Sequence, residues 1–340
     1  MKDLIEMRKE WTIRSFDNIC YSLKDVPGHL NLLDERDILK PSEDPILDDN
    51  IKYLIENVCG YKQENIDYLH RAILYKHDNI DDFTLPCIVL YGKGGSGKGT
   101  LMSLLATIFG ESNVLTNLGQ RELQSSFDTY KGQKLVVEFA EVTSNNTNID
   151  KAILNRLKNI VGAQKLTVNE KNVKPYQIEN SAWFFVSSNS NSPLKLDDKE
   201  KGNRRFSIIK SNFSLENGEI INKKVKDRET VRNYLAWLYY SFPEVYEYKK
   251  LPALDNQDKR ELEDRSQEEA NTFWEWYLEK FPDNKGKKIR HTEINDLIPT
   301  FCDESGTDQW EFQKYFWRNS RYQKTKMRLG KETFYGVEIL

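Results

Sequence analysis

Cysteine and histidine are scarce. Cys20, Cys59, Cys87 and Cys302 form no Cys-x-x-Cys pair, and His29, His70, His77 and His291 complete no metal-ligand spacing. A disulfide framework or structural zinc is therefore excluded as an organising principle, and a reducing cytoplasm is the expected setting. Long apolar runs are lacking too. None approaches the roughly 20 residues that span a bilayer, and the opening segment 1–10 has no signal-peptide apolar centre. The expectation is a soluble cytoplasmic protein with no membrane partner. Charge of one sign is also absent: 50 Lys and Arg against 53 Asp and Glu leave a net charge of −3. A uniformly basic nucleic-acid coat is excluded, so any DNA contact must come from local patches.

The 340 residues exceed one average domain, and 38% hydrophobic residues are enough to build real cores. Residues 1–85 read as helical. Asp49-Asn50 is predicted to cap a helix carrying Ile51, Leu54, Ile55 and Val58, stopped by Gly60, and a second helix spans 64–75. The texture then changes to short apolar runs at 85–91, 134–140 and 183–187, with helical patterns at 100–109 and 149–161 between them. Strands alternating with helices predict a three-layer α/β domain with a mostly parallel sheet over 86–215. Residues 216–268 read as a helical linker or lid. From 269 to 340 three helices and a hairpin turning near Gly330 follow in the order of a winged helix.

Chemistry enters at Gly92-Lys93-Gly94-Gly95-Ser96-Gly97-Lys98-Gly99-Thr100, placed directly after the first apolar strand and opening a helix. That context predicts a phosphate loop. Glycines let successive N–H groups turn inward, the helix N-terminus adds its dipole, and Lys98 reaches the β- and γ-phosphates of ATP. Thr100 or a water serves Mg²⁺. Glu138 and Glu141, at the end of 134–140, are the candidate metal and water-polarising carboxylates, with Glu141 favoured for its place at the polar exit. Asn189 closes the apolar run 183–187 and is placed to sense a γ-phosphate. Arg204 and Arg205 precede another apolar strand, and one of them is the candidate to stabilise transition-state charge in a neighbouring subunit.

Taken in order, the segments at 91–100, 134–141, 157–178, 183–193 and 202–209 resemble superfamily III (AAA+) helicases, especially the helicase parts of phage, plasmid and poxvirus primase–helicase proteins. The resemblance implies a P-loop AAA+ core, a helical oligomerisation region before it and a winged helix after it. It implies a homo-hexameric ring. It further implies a DNA-contacting hairpin in 157–178, with Lys171 and Lys174 near the tip and Lys158 at its start. Two departures from the family pattern stand out: Gly99 intervenes between Lys98 and Thr100, and Phe139-Ala140 separate the two carboxylates.

A last basic stretch, 314–331, carries Lys314, Arg318, Arg321, Lys324, Lys326 and Arg328 without an acid, as expected of a groove helix and wing touching DNA phosphates. The aromatics Tyr315, Phe316 and Trp317 within it are expected in the core. The combined expectation is an ATP-dependent DNA translocase or helicase of viral or mobile-element replication, acting on single-stranded DNA in a channel. Duplex contact falls to the winged helix, and primer synthesis to a primase or polymerase elsewhere. An ATP-switched replication initiator keeps every motif. The Gly-Lys-Gly-Thr form also occurs in small-molecule kinases, against which the long segments flanking the loop weigh.

Overall fold

The computed structural model describes residues 19–20, 30–31, 33, 37–124, 134–142, 147–169, 175–190, 193–194, 196, 203–211, 213–284, 287–305, 309, 312–313, 316, 325–329 and 332–338. Two compact units divide the chain: Met1–Thr143 with Asn155–Pro193 and Arg204–Asp258, and Ser144–Leu154 with Leu194–Asn203 and Lys259–Leu340.

The first unit opens with β1 (Ile19–Cys20) and β2 (Leu30–Asn31), a short parallel pair, followed by α1 (Asp49–Val58) and α2 (Gln63–Asp78). The cap of α1 is Asp48, one residue before the expected pair. Its backbone is extended and its carboxylate accepts the Asn50 N–H at 2.9 Å, which satisfies a donor that the first helical turn leaves unpaired. Ile51, Leu54, Ile55 and Val58 are buried along one stripe. Gly60 ends the run with φ +64°, and a Cβ there would stand 2.5 Å from the Lys210 carbonyl, so only glycine lets the two backbones pass.

The strands that follow are β3 (Cys87–Gly92), β4 (Val114–Leu118), β5 (Val136–Phe139), β6 (Lys165–Val168), β7 (Tyr176–Glu179), β8 (Trp183–Ser188) and β9 (Phe206–Ser211). Five of them form a parallel sheet in the order β4-β5-β8-β3-β9, while β6 and β7 pair antiparallel as a separate hairpin. β3 and β8 are buried at every position, the pattern of central parallel strands covered on both faces. Helices α3 (Lys98–Phe109), α4 (Gln120–Gln124), α6 (Gly218–Lys226) and α7 (Arg228–Ser241) complete this α/β arrangement, and the division between the units falls within α5 (Thr147–Ile160), after Leu154. The parallel-sheet expectation is met. β4 was not foreseen from its sequence.

Leu54 of α1, Leu69 of α2, Ile88 and Leu90 of β3, Leu105 of α3 and Leu235 of α7 belong to one core cluster, so the N-terminal helices share their core with the sheet. Truncating such a residue, Leu54→Ala for instance, costs about 2–5 kcal/mol. Polar pins cross the same interior. Asp258 is fully buried and accepts from Lys62 Nζ at 2.6 Å, Asn65 Nδ2 at 2.9 Å and the Lys210 N–H at 3.0 Å. Lys76 Nζ donates to the carbonyls of Ile80, Asp82 and Ser181.

The second unit carries α8 (Gln257–Lys280), β10 (Lys288–Arg290), α9 (His291–Ser305), β11 (Thr325–Leu329) and β12 (Glu332–Glu338), with an antiparallel sheet in the order β10-β12-β11. The charged stretch from 255 and the aromatic stretch from 269 lie in one uninterrupted helix. No glycine or proline falls between 257 and 280 to break it. Phe273, Trp274, Ile298, Phe301, Phe316 and Val337 form the core, which bears out Phe316 as packing residue. Tyr315, Trp317 and most of the helix expected near 308–319 lie outside the described residues.

Candidate functional site

β3 runs into the glycine-rich loop, and the loop into α3. Gly97 makes the junction with φ +94°, a backbone conformation that favours glycine, and a Cβ there would come within 2.9 Å of Leu54 Cδ1, so that side chain would have to shift. No hydrogen bond of good geometry leaves the N–H groups of Gly94 to Lys98 for another part of the described chain, whereas the loop carbonyls are engaged: Gly95 O accepts the Leu215 N–H at 2.8 Å and Ser96 O accepts Asn57 Nδ2 at 2.9 Å. A glycine-rich turn that opens a helix N-terminus offers backbone N–H groups and a dipole end of the kind that suit an anion. Lys98 is 9% exposed and its Nζ donates to Lys93 O at 3.0 Å, Ser96 Oγ at 3.2 Å and Gly92 O at 3.4 Å. Burial draws its pKa below the usual lysine value, against the pull of Glu141 and Glu138, which favour the charged form.

The carboxylates come from the next strand but one. β5 ends at Phe139, and Glu141 has φ +53°, left-handed for a residue with a side chain. Strand alternation would aim Glu138 and Glu141 to opposite faces. Leaving the strand after Phe139 brings both to one pocket, through a conformation that costs about 1–3 kcal/mol. Glu138 is 4% exposed; its Oε1 accepts from Ser187 Oγ at 2.7 Å and its Oε2 from the Asn117 N–H at 3.3 Å. Burial raises its pKa, and these two donors work in the opposite direction. Glu141 is exposed and accepts from Asn189 Nδ2 at 3.0 Å.

The strand order explains the meeting. β8 lies between β3 and β5, so the glycine-rich loop, Asn189 and the two glutamates leave three neighbouring strands at the same carboxyl edge. This is where ligands bind in open α/β sheets. The pocket there has a volume of about 520 Å³, within the range of small-ligand sites. Lys98, Thr100, Asn117, Glu138, Glu141 and Asn189 line it, together with Leu215, Gly218 and Asn222 from the start of α6 and the segment before it. The hydroxyl of Thr100 and the two carboxylates are hard oxygen donors of the kind Mg²⁺ takes alongside phosphate and water. No cluster of three His, Cys, Asp or Glu occurs among the described residues, a set that Mg²⁺ shared with phosphate does not require. Gly99 adds no side chain to the site, and a Cβ built on it meets nothing within 4 Å.

The other expected residues lie elsewhere. Arg204 and Arg205 precede β9 at the amino edge of the sheet, Arg204 exposed and Arg205 half-buried. Lys158 is half-buried in the last turn of α5, ahead of the β6–β7 hairpin; Lys171 and Lys174 lie outside the described residues. Lys326 and Arg328 are exposed two positions apart on β11, opposite Tyr335 and Thr333. Lys314, Arg318, Arg321 and Lys324 lie outside the described residues. Two residues that line the pocket, Asn117 and Ser187, escaped the sequence, as did Asn57, which bonds the loop from outside it. The one available signal was a carboxamide at position 57, among the apolar positions of an amphipathic helix.

A protein-family profile described as "Family of unknown function (DUF5906)" matches residues 90–205, the stretch from the glycine-rich loop to the arginine pair. The chain is 30% identical over 195 residues to the "DNA Primase-polymerase" of Nitratiruptor phage NrS-1; the match covers 56% of this chain and 26% of that protein, so the chain spans about a quarter of its curated relative. An apo structure of the C-terminal region of NrS-1 superimposes with a TM-score of 0.59 at 20% identity, covering 94% of this chain and 79% of that one. An A-form apo structure of the same region gives 0.61 at 19% identity, covering 100% and 91%. At that identity the structural likeness concerns the fold: the chain folds like the NrS-1 C-terminal region.

Proposed function

We propose that this chain is the ATP-driven motor of a phage or mobile-element replication apparatus, an AAA+ module of superfamily III type that forms a homo-hexameric ring and moves along single-stranded DNA. The observation that carries the reading is the convergence of the phosphate loop, two carboxylates and Asn189 on one pocket from three neighbouring strand ends. Lys98 and the loop N–H groups bind the β- and γ-phosphates of ATP. Thr100 with Glu138 or Glu141 would hold Mg²⁺, which would supply charge neutralisation at the phosphates. Glu141, exposed at the pocket and hydrogen-bonded to Asn189, orients the attacking water and accepts its proton. Asn189 reports the γ-phosphate, and Arg204 or Arg205 completes the pocket of the adjacent copy.

Similarity to a DNA primase-polymerase supports DNA as the partner, and the share of that relative beyond this match leaves room for primer synthesis outside this chain. The order α8, β10, α9, β11, β12 with a three-stranded antiparallel sheet supports a winged helix at 269–340. In this reading Lys326 and Arg328 touch duplex phosphates, and the β6–β7 hairpin, with Lys171 and Lys174 between its strands, contacts the single strand. Residues 1–85 serve oligomerisation and 216–268 form the lid. A forked-DNA unwinding assay with ATP, run beside size-exclusion chromatography with and without nucleotide, tests the proposal. ATP-dependent strand separation by a ring-sized species is expected. A nucleotide-indifferent monomer that separates no strands contradicts it.

A further inference from the structure

The phosphate loop is held from outside its concave side by hydrogen bonds to two successive carbonyls. The Leu215 N–H donates to Gly95 O at 2.8 Å, and Asn57 Nδ2 donates to Ser96 O at 2.9 Å and to Phe213 O at 3.3 Å. In a trans peptide the C=O and N–H point in opposite directions. Fixing the carbonyls of Gly95 and Ser96 toward Leu215 and Asn57 therefore aims the N–H groups of Ser96 and Gly97 the other way. Those groups belong to residues that line the pocket, and Asn57 does not.

Asn57 is fully buried near the end of α1, on the side of Leu54 and Val58, which a Cβ on Gly97 would approach to 2.9 and 3.4 Å. A buried carboxamide is costly unless its hydrogen bonds are made. Here they are made: both Nδ2 contacts run to the loop and to the segment after β9, and the Tyr61 hydroxyl donates to Oδ1 at 3.3 Å, fixing which end of the amide faces the loop. A leucine at 57 would satisfy packing alone. We infer that Asn57 is a positioning residue for nucleotide binding, its carboxamide holding the phosphate loop in the shape that presents the Ser96 and Gly97 N–H groups to phosphate. The inference rests on the ATP reading above and adds to it a residue from the N-terminal helices, 39 positions before the loop carbonyl it holds.

The same residue supplies a control. Ser211 Oγ donates to the main-chain carbonyl of Asn57 at 2.6 Å, a bond in the same cluster that does not involve the carboxamide. The test compares Asn57→Ala, Asn57→Asp and Ser211→Ala in the full chain. It reads the Kd of a fluorescent ATP analogue with Mg²⁺, steady-state KM and kcat, and the thermal midpoint without nucleotide. Asn57→Asp keeps the shape but turns an oxygen toward two carbonyls. Both Asn57 variants are expected to weaken nucleotide binding by about tenfold or more, with KM raised and kcat at saturation changed less than about threefold. Ser211→Ala is expected to lower the midpoint and leave Kd unchanged.

Wild-type affinity in Asn57→Ala overturns the inference. So does a Ser211→Ala variant whose Kd shifts in proportion to its lost stability, because that marks a merely structural role. If neither Asn57 variant folds, Tyr61→Phe frees the amide to rotate while changing an exposed side chain, and a KM raised about twofold or more is expected; an unchanged KM overturns the inference. Wild-type protein that binds no nucleotide contradicts the ATP reading itself, an outcome distinct from variants that bind as well as a competent wild type.

Discussion

The carbonyl of Arg205 accepts the N–H of Cys87 at 2.8 Å, which sets the arginine pair at the amino end of β3, the strand whose carboxyl end carries the glycine-rich loop. Six residues of β3 at about 3.3 Å each separate the two ends by about 20 Å. An extended guanidinium does not cover that distance. Among the described residues neither Arg204 nor Arg205 makes a side-chain hydrogen bond or ion pair, and Arg204 is exposed. The pair can serve a nucleotide only in another copy of the chain.

A doubly substituted Arg204→Ala, Arg205→Ala protein is therefore expected to bind ATP as tightly as wild type while hydrolysing it about 10³-fold more slowly or less, the scale of a missing arginine finger. Mixing it with Lys98→Ala protein should restore part of the activity, because an intact loop then meets an intact arginine pair across some interfaces. Hydrolysis rates measured against mixing ratio check this; a strictly additive, inactive mixture contradicts it.

The two carboxylates should separate by function. Glu141→Gln is expected to cost about 10²–10⁴ in kcat with ATP affinity retained, as for loss of a general base. Glu138→Gln is expected to raise the Mg²⁺ concentration needed for half-maximal activity, read from a magnesium titration at fixed ATP. Stability moves the opposite way. Because burial lifts the Glu138 pKa in the fold, its contribution to stability is fullest below the ordinary carboxylate range and is lost as pH rises through the folded value. At pH 7.5 the ionised group is a cost, so Glu138→Gln should raise the melting temperature there, with the gain shrinking toward pH 4.

Much of this was legible in the sequence because it is local. The loop from Gly92 to Lys98 announces itself by composition and by its place between an apolar run and a helix, and Glu138, Glu141 and Asn189 by ending apolar runs. What was not legible is relational. Ser187 holds Glu138 from 49 residues away and Asn57 holds Ser96 from 39, contacts that exist only once the strand order is known. β4 reads Val-Leu-Thr-Asn-Leu, too polar and short to stand out. Its register shift between Leu115 and Leu118 and the left-handed Asn117 break the alternation a strand search relies on. Placing the arginine pair at the far edge of the sheet likewise required the pairing of β3 with β9.

Acid should unfold the protein early through its buried histidines. Burial, with the charge of Arg71 added, pushes His70 down to about 3, and its Nδ1 lies 2.8 Å from the Tyr234 hydroxyl; His77 is lowered by burial as well. A depressed histidine pKa means that the unfolded chain takes up the proton first, so stability present above pH 6.5 is lost as pH falls toward 3. His70 alone should cost about 1.4 kcal/mol between pH 7.5 and 5.5. Urea unfolding at the two pH values checks it, with a flatter dependence expected in His70→Gln.

Salt dependence probes the hairpin of the second unit. Lys326 and Arg328 are exposed and share one face of β11. Replacing both by alanine should lower the slope of log affinity against log salt by about 1.8 on duplex DNA, at roughly 0.9 per phosphate contact, and should do so regardless of DNA sequence. Fluorescence anisotropy over a salt series reads the slope directly.

ATP turnover with and without single-stranded DNA, in wild-type and Lys98→Ala protein, bears most directly on the motor. Hydrolysis that single-stranded DNA stimulates in wild type, and that Lys98→Ala abolishes in both conditions, is the predicted result. Turnover that survives Lys98→Ala, or that ignores DNA altogether, would contradict it.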